Sequence, residues 1–430
     1  VQAEFNYLIF GIVCLSLIIW LFLLIFWGDF WKTDQQLLMQ KEQRVGTIPC
    51  GCLEAGEQGV GAIPCGCPKA GEITSSIYPS VCAIVPARNE AELLPITLRS
   101  LLHQDYPGYL SVIVVDDRST DRTAEVALQT AESILPTQQH RQFKLLTAEP
   151  LPSGWTGKLW AIEQGICYAK QEIAEIDYFL LTDADIEHNS HNLSQLIAKA
   201  EADRLDLVSL MVLLRCQSFW ENLLIPAFVF FFAKLYPFAW VNNPDRLTAA
   251  AAGGCILLRQ EALNRLGGMK SISKALIDDC ALGQAVKADR GRIWLGLTST
   301  TKSLRAYPSL ASIWDMVART AYTQLQYSPW LLFGTIVGMT LVYLVSPLGL
   351  GWGILTGDRA TAIVGLLGWL LMSFAYLPTI LFYQRSPLLS CCLPFIALLY
   401  TLMTLDSALR HYQGRGGVWK GRVNQQRLIL

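Results

Sequence analysis

Residues 177–185 read DYFLLTDAD, an apolar stretch of strand type that runs straight into Asp183 and, two positions on, Asp185. A short apolar run bounded by charge fits a strand covered on both faces. The same form recurs upstream. VCAIV (81–85) stops at Pro86, LSVIVV (110–115) stops at Asp116 and Asp117, and FKLL (143–146) is a shorter run. Helical stretches separate these runs: from about Glu90 to His103, from Asp121 onward, and over Thr156–Lys170. Asp121 has the side chain of a helix cap. Strands alternating with helices imply right-handed crossovers and a mostly parallel α/β sheet. Ligands of such sheets bind beyond the carboxyl ends of the strands. Asp116, Asp117, Asp183 and Asp185 collect at those ends, so a site is expected there.

Loops that mark other α/β proteins are missing: no P-loop, no Gly-x-Gly-x-x-Gly after the first strand, no Gly-x-Ser-x-Gly elbow, no His-Glu-x-x-His. NTPase, dehydrogenase, α/β-hydrolase and zincin readings lose their support. The chemistry rests on carboxylates. Asp183 and Asp185 offer hard oxygen ligands of the kind Mg²⁺ or Mn²⁺ takes while keeping positions for water and phosphate. The alternative is an Asx turn closing a strand. His188 is either a further ligand or a loop histidine. A second group, IDDCAL (277–282), opens a predicted helix, where carboxylates face unpaired N–H groups. One of Asp278 and Asp279 can cap that helix. The other is then available as a general base for an acceptor hydroxyl.

Hydropathy divides the chain. Its 430 residues include 34 basic and 35 acidic side chains, a net charge of −1, with 16% charged and 52% hydrophobic residues. Mean hydropathy is +0.34. Soluble domains carry about 25% charged residues, so one soluble domain plus several membrane segments is expected. The near-neutral balance gives no basic field for nucleic acid. Tyr7–Trp27 is free of charge and long enough to cross a ~30 Å hydrocarbon core. It lacks the basic leader and cleavage site of a signal peptide, and reads as a transmembrane anchor (7–27). The chain starts at Val1 rather than Met, so residues before it are expected. Three further apolar runs, Trp330–Leu355, Ala360–Tyr383 and Leu388–Leu405, make a C-terminal membrane region (330–405) of two to three spans.

The tail (406–430) holds Arg410, His411, Arg415, Lys420, Arg422 and Arg427, and the positive-inside rule places it in the cytoplasm. Three full crossings after a cytoplasmic domain would leave it outside. Either the tail is an exception or one run is re-entrant or interfacial, and Leu388–Leu405, the shortest and broken by Pro394, is the candidate. Phe219–Val241, with Glu221, Lys234, Pro226 and Pro237, is a poor span. It is expected to lie on the bilayer with aromatics down and charges up. VGTIPCGCLEAGE (45–57) and VGAIPCGCPKAGE (60–72) form a tandem repeat carrying Cys50, Cys52, Cys65 and Cys67, four of the 12 cysteines. A four-thiolate zinc site is one reading; a duplicated Gly/Pro linker is the preferred one. The scattered remaining cysteines suit buried positions in a reducing compartment.

VPARNEAELLPITLRSLLHQDYP, VVDDRSTDRTAEVA, LTDADIEH and LIDDCALG, in this order, resemble the family 2 glycosyltransferases of GT-A fold. With GWTGKLWA (154–161) and MVARTAYTQL (316–325), the chain is similar to the hopene-associated glycosyltransferase subgroup. The resemblance runs from about Val81 to Arg422 and excludes the cysteine repeat. It implies a GT-A, Rossmann-like nucleotide-sugar domain (80–327) inserted between the anchor and the C-terminal membrane helices. It also implies that Pro86, Arg88 and Glu90 line the nucleotide pocket, beside Asp116, and that Asp117 contacts a uracil. Lys158 would sit near the donor, Asp183 and Asp185 would hold Mg²⁺ or Mn²⁺ on the diphosphate, and Asp279 would be the base, with Asp278 beside it.

The implied activity is inverting hexosyl transfer, at the cytoplasmic face of the cell (inner) membrane, from a UDP-type donor to a lipid hydroxyl, for instance of a hopanoid or other polyprenoid-type lipid. Processive synthases carry a Gln-x-x-Arg-Trp motif, whereas Tyr322–Tyr327 reads YTQLQY. The departure argues against a processive polysaccharide synthase, and the intact carboxylate set argues against a non-catalytic membrane protein. Arg319 is either a substitute for the missing positive charge or a membrane-surface residue. Trp314, Tyr322, Tyr327 and Trp330 fall where domain and membrane should meet. Ile313, Val317 and Ala321 recur at helical spacing. These aromatics are therefore expected to guide a lipid acceptor or to anchor the domain.

Overall fold

The computed structural model describes residues 2–37, 78–138, 140–414, 418–419 and 422–423. The cysteine repeat and residues 415–417, 420–421 and 424–430 of the basic tail lie outside the described residues.

The chain opens with α1 (Gln2–Phe26), then alternates β1 (Val81–Ala87), α2 (Leu94–Leu102), β2 (Leu110–Asp116), α3 (Thr123–Ile134), β3 (Arg141–Thr147), α4 (Gly157–Glu172) and β4 (Tyr178–Thr182). A second half follows: β5 (Ile186–Glu187), α5 (Asn192–Ala202), β6 (Leu207–Leu213), α6 (Phe219–Leu235), α7 (Phe238–Val241), β7 (Cys255–Arg259), α8 (Gln260–Arg265), α9 (Asp278–Ala288) and β8 (Ile293–Ser303). The eight strands form one sheet in the order β3-β2-β1-β4-β7-β6-β8-β5.

The parallel α/β expectation holds for β1 to β4. β1, β2 and β4 are buried throughout, as their unbroken apolar sequences require, while edge strand β3 is half exposed. Strand alternation splits the interior. Cys82 and Ile84 face one core with Ile162 and Ile166 of α4; Ala83 and Val85 face another with Leu94 and Leu98 of α2. α4 comes so close that a Cβ on Gly165 would lie 2.8 Å from Ile84 Cγ2.

The second half departs from the parallel pattern. β7 runs antiparallel between β4 and β6. The reason is where the chain re-enters: Cys255 pairs with Thr182, at the carboxyl end of β4, so β7 can only run back down the sheet. That re-entry carries Gly253 and Gly254 to the edge where Asp183 stands.

Beyond the sheet come α10 (Leu310–Ala318), α11 (Ala321–Gln324), α12 (Pro329–Met339), a π-turn at Thr340–Leu344, α13 (Val345–Thr356), α14 (Arg359–Phe382) and, after a 3₁₀ turn at Pro387–Cys392, α15 (Leu393–Tyr412). Among the described residues, four helical runs are long and apolar enough to cross a membrane: Glu4–Phe26, Pro329–Thr356, Arg359–Phe382 and Pro387–Tyr412. α1 packs along α13 and α14 through small residues. Ser16 and Ser346 hydroxyls lie 2.9 Å apart, and the Trp20 indole donates to the Val342 carbonyl at 2.6 Å. After α1 the chain is fastened to the sheet, with Leu37 N–H donating to Leu297 O and Leu297 N–H to Gln35 O.

The run Pro387–Tyr412 does not extend the bundle end to end. The Trp369 indole, in mid-α14, donates to Cys391 O at 3.0 Å. From there α15 passes α6, where Tyr400 Oη donates to Leu224 O at 2.9 Å. It then reaches α10, where the Trp314 indole donates to Asp406 Oδ2 at 2.7 Å. The run thus leaves the end of α14 nearest the domain, turns beside mid-α14, and returns to the domain's side.

The 219–241 segment corrects one expectation. Its charges do not point to water. Glu221 is fully buried in a capping box with Ser218, where it accepts from Tyr307 N–H at 2.6 Å and pairs with Arg215 at 3.2 Å. Lys234 Nζ lies 3.0 Å from Tyr343 Oη, over that ring. The segment is a helix wedged between sheet and bundle, and its charges are spent on the joint.

Candidate active site

Three segments converge beyond the carboxyl end of the sheet: the first turn of α4, the β4–β5 turn, and the first turn of α9. Pro86, Lys158, Thr182, Asp183, Gly253, Asp278 and Asp279 line one cavity there. Lys158 is its centre. Its ammonium lies 2.8 Å from Asp183 Oδ1 and 3.2 Å from Asp278 Oδ2. Two carboxylates hold it firmly protonated against the cost of burial.

Asp279 accepts from Gly253 N–H and from Cys280 N–H, both at 2.8 Å. Burial, reinforced by the neighbouring negative charge of Asp278, pushes its carboxyl up to about 6, with Lys158 and the two amides opposing. Asp183 is likewise raised by burial, with Lys158 opposing and Asp185 adding to the rise. A carboxylate oriented by two amides and titrating near neutrality has the properties of a general base.

Asp185 is turned to another cation. Arg305 Nε lies 2.8 Å from Asp185 Oδ2, and its other arm reaches Glu90 Oε1. The sheet delivers Arg305 here: Ile186 pairs with Ser303, so the residues after β8 run beside the Asp183–Asp185 turn. The sequence reading missed Arg305 and Gly253. A basic residue past a strand has no signature, and Gly253-Gly254 reads as a turn without saying which carboxylate its amide would meet.

The first two loops form the adjoining wall. Arg88 Nη1 donates to Asp117 O and lies 3.5 Å from Asp117 Oδ2. The Asp116 carboxylate accepts from Ser119 N–H at 3.2 Å. Both aspartates are buried, at 6% and 1% exposure, so their carboxylates serve the loop first.

Other residues fall elsewhere. His188 is not available as a metal ligand: its two ring nitrogens contact Thr182 Oγ1 at 3.0 Å and Asn192 Nδ2 at 3.1 Å. Burial pushes it down to about 3, so it stays neutral. Tyr322 does not face an acceptor. It is 1% exposed, and its hydroxyl contacts Tyr327 O and Tyr412 Oη at 2.8 and 3.0 Å. The indole of Trp314 is taken by Asp406. The cause is α15, which returns over α10 and α11 and covers what would otherwise be their membrane face. Arg319 is exposed and lies toward Tyr307, which also senses Asp185, Arg305 and Asp183. Gln324 of the YTQLQY stretch donates to Tyr236 Oη at 2.5 Å, and that tyrosine touches Cys280, next to the base candidate.

The donor set suits a divalent cation. Among the described residues no group of three or more His, Cys, Asp or Glu is arranged around one point. Asp183 and Asp185 nonetheless flank one turn, with Lys158 closest to Asp183 Oδ1 and Arg305 to Asp185 Oδ2. Two hard oxygens completed by phosphate and water is an arrangement Mg²⁺ and Mn²⁺ accept.

Residues 82–267 match the family model described as Glycosyl transferase family 2. The chain is 34% identical over 119 residues to a 4,4'-diaponeurosporenoate glycosyltransferase of Staphylococcus haemolyticus, covering 27% of this chain and 28% of that protein. It is 27% identical over 213 residues to the enzyme of the same description from Staphylococcus aureus, covering 48% and 51%. The chain thus spans about half the length, or less, of these curated relatives. Among solved structures, a mannosyltransferase from Pyrobaculum calidifontis in complex with GDP-Man and Mn²⁺ aligns with a TM-score of 0.45 and 18% identity, over 78% of this chain and 88% of that one. The relatives act on diaponeurosporenoate by name, where the sequence reading pointed to the hopene-associated subgroup.

Proposed function

From a chain whose residues 82–267 form a family 2 glycosyl transferase domain of GT-A fold, we propose an inverting, membrane-bound transferase that moves a hexose from a nucleotide sugar, UDP-linked by the sequence resemblance, to a lipid. One observation carries this reading. Lys158 joins Asp183 to Asp278 inside a single cavity that Asp279 also lines. Tyr236, the C-cap of α6, touches Cys280 beside Asp279, and α6 packs against the membrane-type bundle, with Lys234 Nζ 3.0 Å from Tyr343 Oη.

In this reading Arg88 and Asp117 shape the nucleoside end, and Lys158 neutralises the departing diphosphate. Asp183 and Asp185 would hold Mg²⁺ or Mn²⁺, which supplies positive charge for the leaving group. Asp279, aimed by Gly253, takes the proton of the attacking hydroxyl while that oxygen forms the new glycosidic bond on the opposite face of the sugar. Inversion follows from one displacement with no enzyme nucleophile.

The acceptor has two readings. The resemblance favours a hydroxyl on a hopanoid or other polyprenoid-type lipid. The relatives' diaponeurosporenoate, a carotenoid acid, favours a carboxylate. A carboxylate attacks without losing a proton, so the base is needed only for the first.

The test is incubation of the purified protein, in detergent, with UDP- and GDP-hexoses and a membrane lipid extract, followed by mass spectrometry of the lipid phase. One hexose added to one lipid supports the reading. A long glycan, or no lipid product from any donor, overturns it.

A further inference from the structure

Around the Asp183–Asp185 turn, two basic side chains stand among five carboxylates: Lys158 with Asp183, Asp278 and neighbouring Asp279, and Arg305 with Asp185 and Glu90. Both cations are held by the residues that would receive the donor's divalent ion. Lys158 sits 2.8 Å from Asp183 and Arg305 2.8 Å from Asp185, one cation per carboxylate. Neither is remote from the cavity. Lys158 lines it, and Arg305 keeps a third of its side chain exposed.

With five carboxylates to two cations, the turn repels a diphosphate alone, and it draws a dication only to ligands that are already paired. A dication entering the turn meets two positive groups already seated on its ligands. A diphosphate meets carboxylates on every side, because the cations that would attract it are already neutralised. Arriving together, each removes what obstructs the other. Asp183 and Asp185 would hold the dication, which would free the Lys158 ammonium and the Arg305 guanidinium for the phosphates. The guanidinium suits this exchange, since its fork binds carboxylate and phosphate oxygens alike.

We propose that Lys158 and Arg305 are exchangeable counter-cations, which hold Asp183 and Asp185 in the empty site and pass to the donor diphosphate when a divalent ion takes the carboxylates. Arg305 thereby becomes a positioning residue on the donor side, and cation and nucleotide bind as a coupled pair. The proposal rests on the donor-site reading above. Coupling of this kind is reciprocal: the factor by which nucleotide tightens the cation equals the factor by which cation tightens the nucleotide.

The experiment is a Mn²⁺ titration of the purified chain in detergent, with free Mn²⁺ followed by electron paramagnetic resonance, alone and with saturating UDP or GDP. For the unaltered protein, nucleotide should tighten Mn²⁺ by about tenfold or more. Arg305→Gln takes one repelling charge from the empty site, so Mn²⁺ alone should bind several-fold tighter than to the unaltered protein, with the nucleotide's gain reduced. Arg305→Lys, which keeps charge but loses the fork, should give an intermediate gain and serves if the glutamine variant does not fold. Equal Mn²⁺ affinity with and without nucleotide, while Asp185→Ala still weakens Mn²⁺, would leave the donor site in place and refute the exchange. Mn²⁺ binding that neither Asp183→Ala nor Asp185→Ala alters would overturn the donor-site reading and the proposal with it.

Discussion

The amide of Gly253 donates to Asp279 Oδ2 at 2.8 Å, and this bond ties the strand that re-enters the sheet to the helix that carries the candidate base. A Cβ at position 253 would come within 3.2 Å of that carboxylate oxygen and 3.3 Å of Lys158 Nζ. Gly253→Ala should therefore push the base and its cation apart without removing either. We expect turnover to fall about tenfold or more, since misplacing a reacting group by a fraction of an ångström weakens proton transfer. Unchanged kcat would show that the amide bond does not aim the base.

Asp279→Asn keeps the shape and loses the proton acceptor. With a hydroxyl acceptor, kcat should drop by about 10²-fold or more while nucleotide binding persists. With a carboxylate acceptor the same variant should keep most of its activity. Assaying both acceptor classes thus reads the acceptor chemistry from one mutation. If Asp278→Asn is the silent variant instead, the two aspartates exchange roles.

The raised carboxyl of Asp279, about 6, has a pH consequence. Below that value the group is protonated and cannot accept a proton, so transfer to a hydroxyl should rise with pH through about 6 and level off above it. Stability runs the other way. A carboxyl whose folded-state value is raised contributes stability below its unfolded value, and loses it as pH climbs through the folded value. Asp279→Asn should flatten both dependences, measured as kcat and as unfolding midpoint between pH 4.5 and 8. An acid limb that survives in the variant would assign it to another group.

Removal of divalent ions by EDTA should abolish transfer, with Mg²⁺ or Mn²⁺ restoring it, and Asp183→Ala should weaken nucleotide binding in the presence of the ion. Full activity in EDTA would remove the metal from the reading and leave Lys158 and Arg305 as counter-charges for the diphosphate.

The path of the last apolar run predicts topology. Because Pro387–Tyr412 turns beside Trp369 and returns to α10 and α11, three crossings are expected in all, α1 before the domain and two after it (329–356 and 359–382), with Gly414 on the domain's side of the membrane. An epitope inserted between Gly357 and Asp358 should be reached only from the opposite side, and one placed after Gly414 only from the domain's side. Detection of both epitopes from one side would overturn this path. Tyr322→Ala, in the packing that anchors this return, should cost about 3–5 kcal/mol of stability. It should then lower transfer and donor hydrolysis together, where an acceptor-guiding residue would lower transfer alone.

What the sequence determined by itself is local. Short unbroken apolar runs such as YFLLT, bounded by charge, fit strands covered on both faces, and their alternation with helices points to β1 to β4 and the edge at which Asp183 and Asp185 collect. The spacing of Asp278 and Asp279 at a helix start, and the charge-free lengths of the membrane-type helices, were legible in the same way, since each depends on neighbours within one or two turns. Tertiary structure decided what depends on distant partners. Nothing within reach of Gly253 in the chain indicates that its amide will meet Asp279, 26 positions on. Nor does Arg305 announce Asp185, 120 positions away, which it meets only because β5 and β8 pair. The antiparallel turn of β7, the inward charges of the 219–241 helix and the burial of Tyr322 follow the same rule. Each is set by which surface the folded chain lays against the residue, and an apolar or charged side chain carries no record of that surface in its own stretch of sequence.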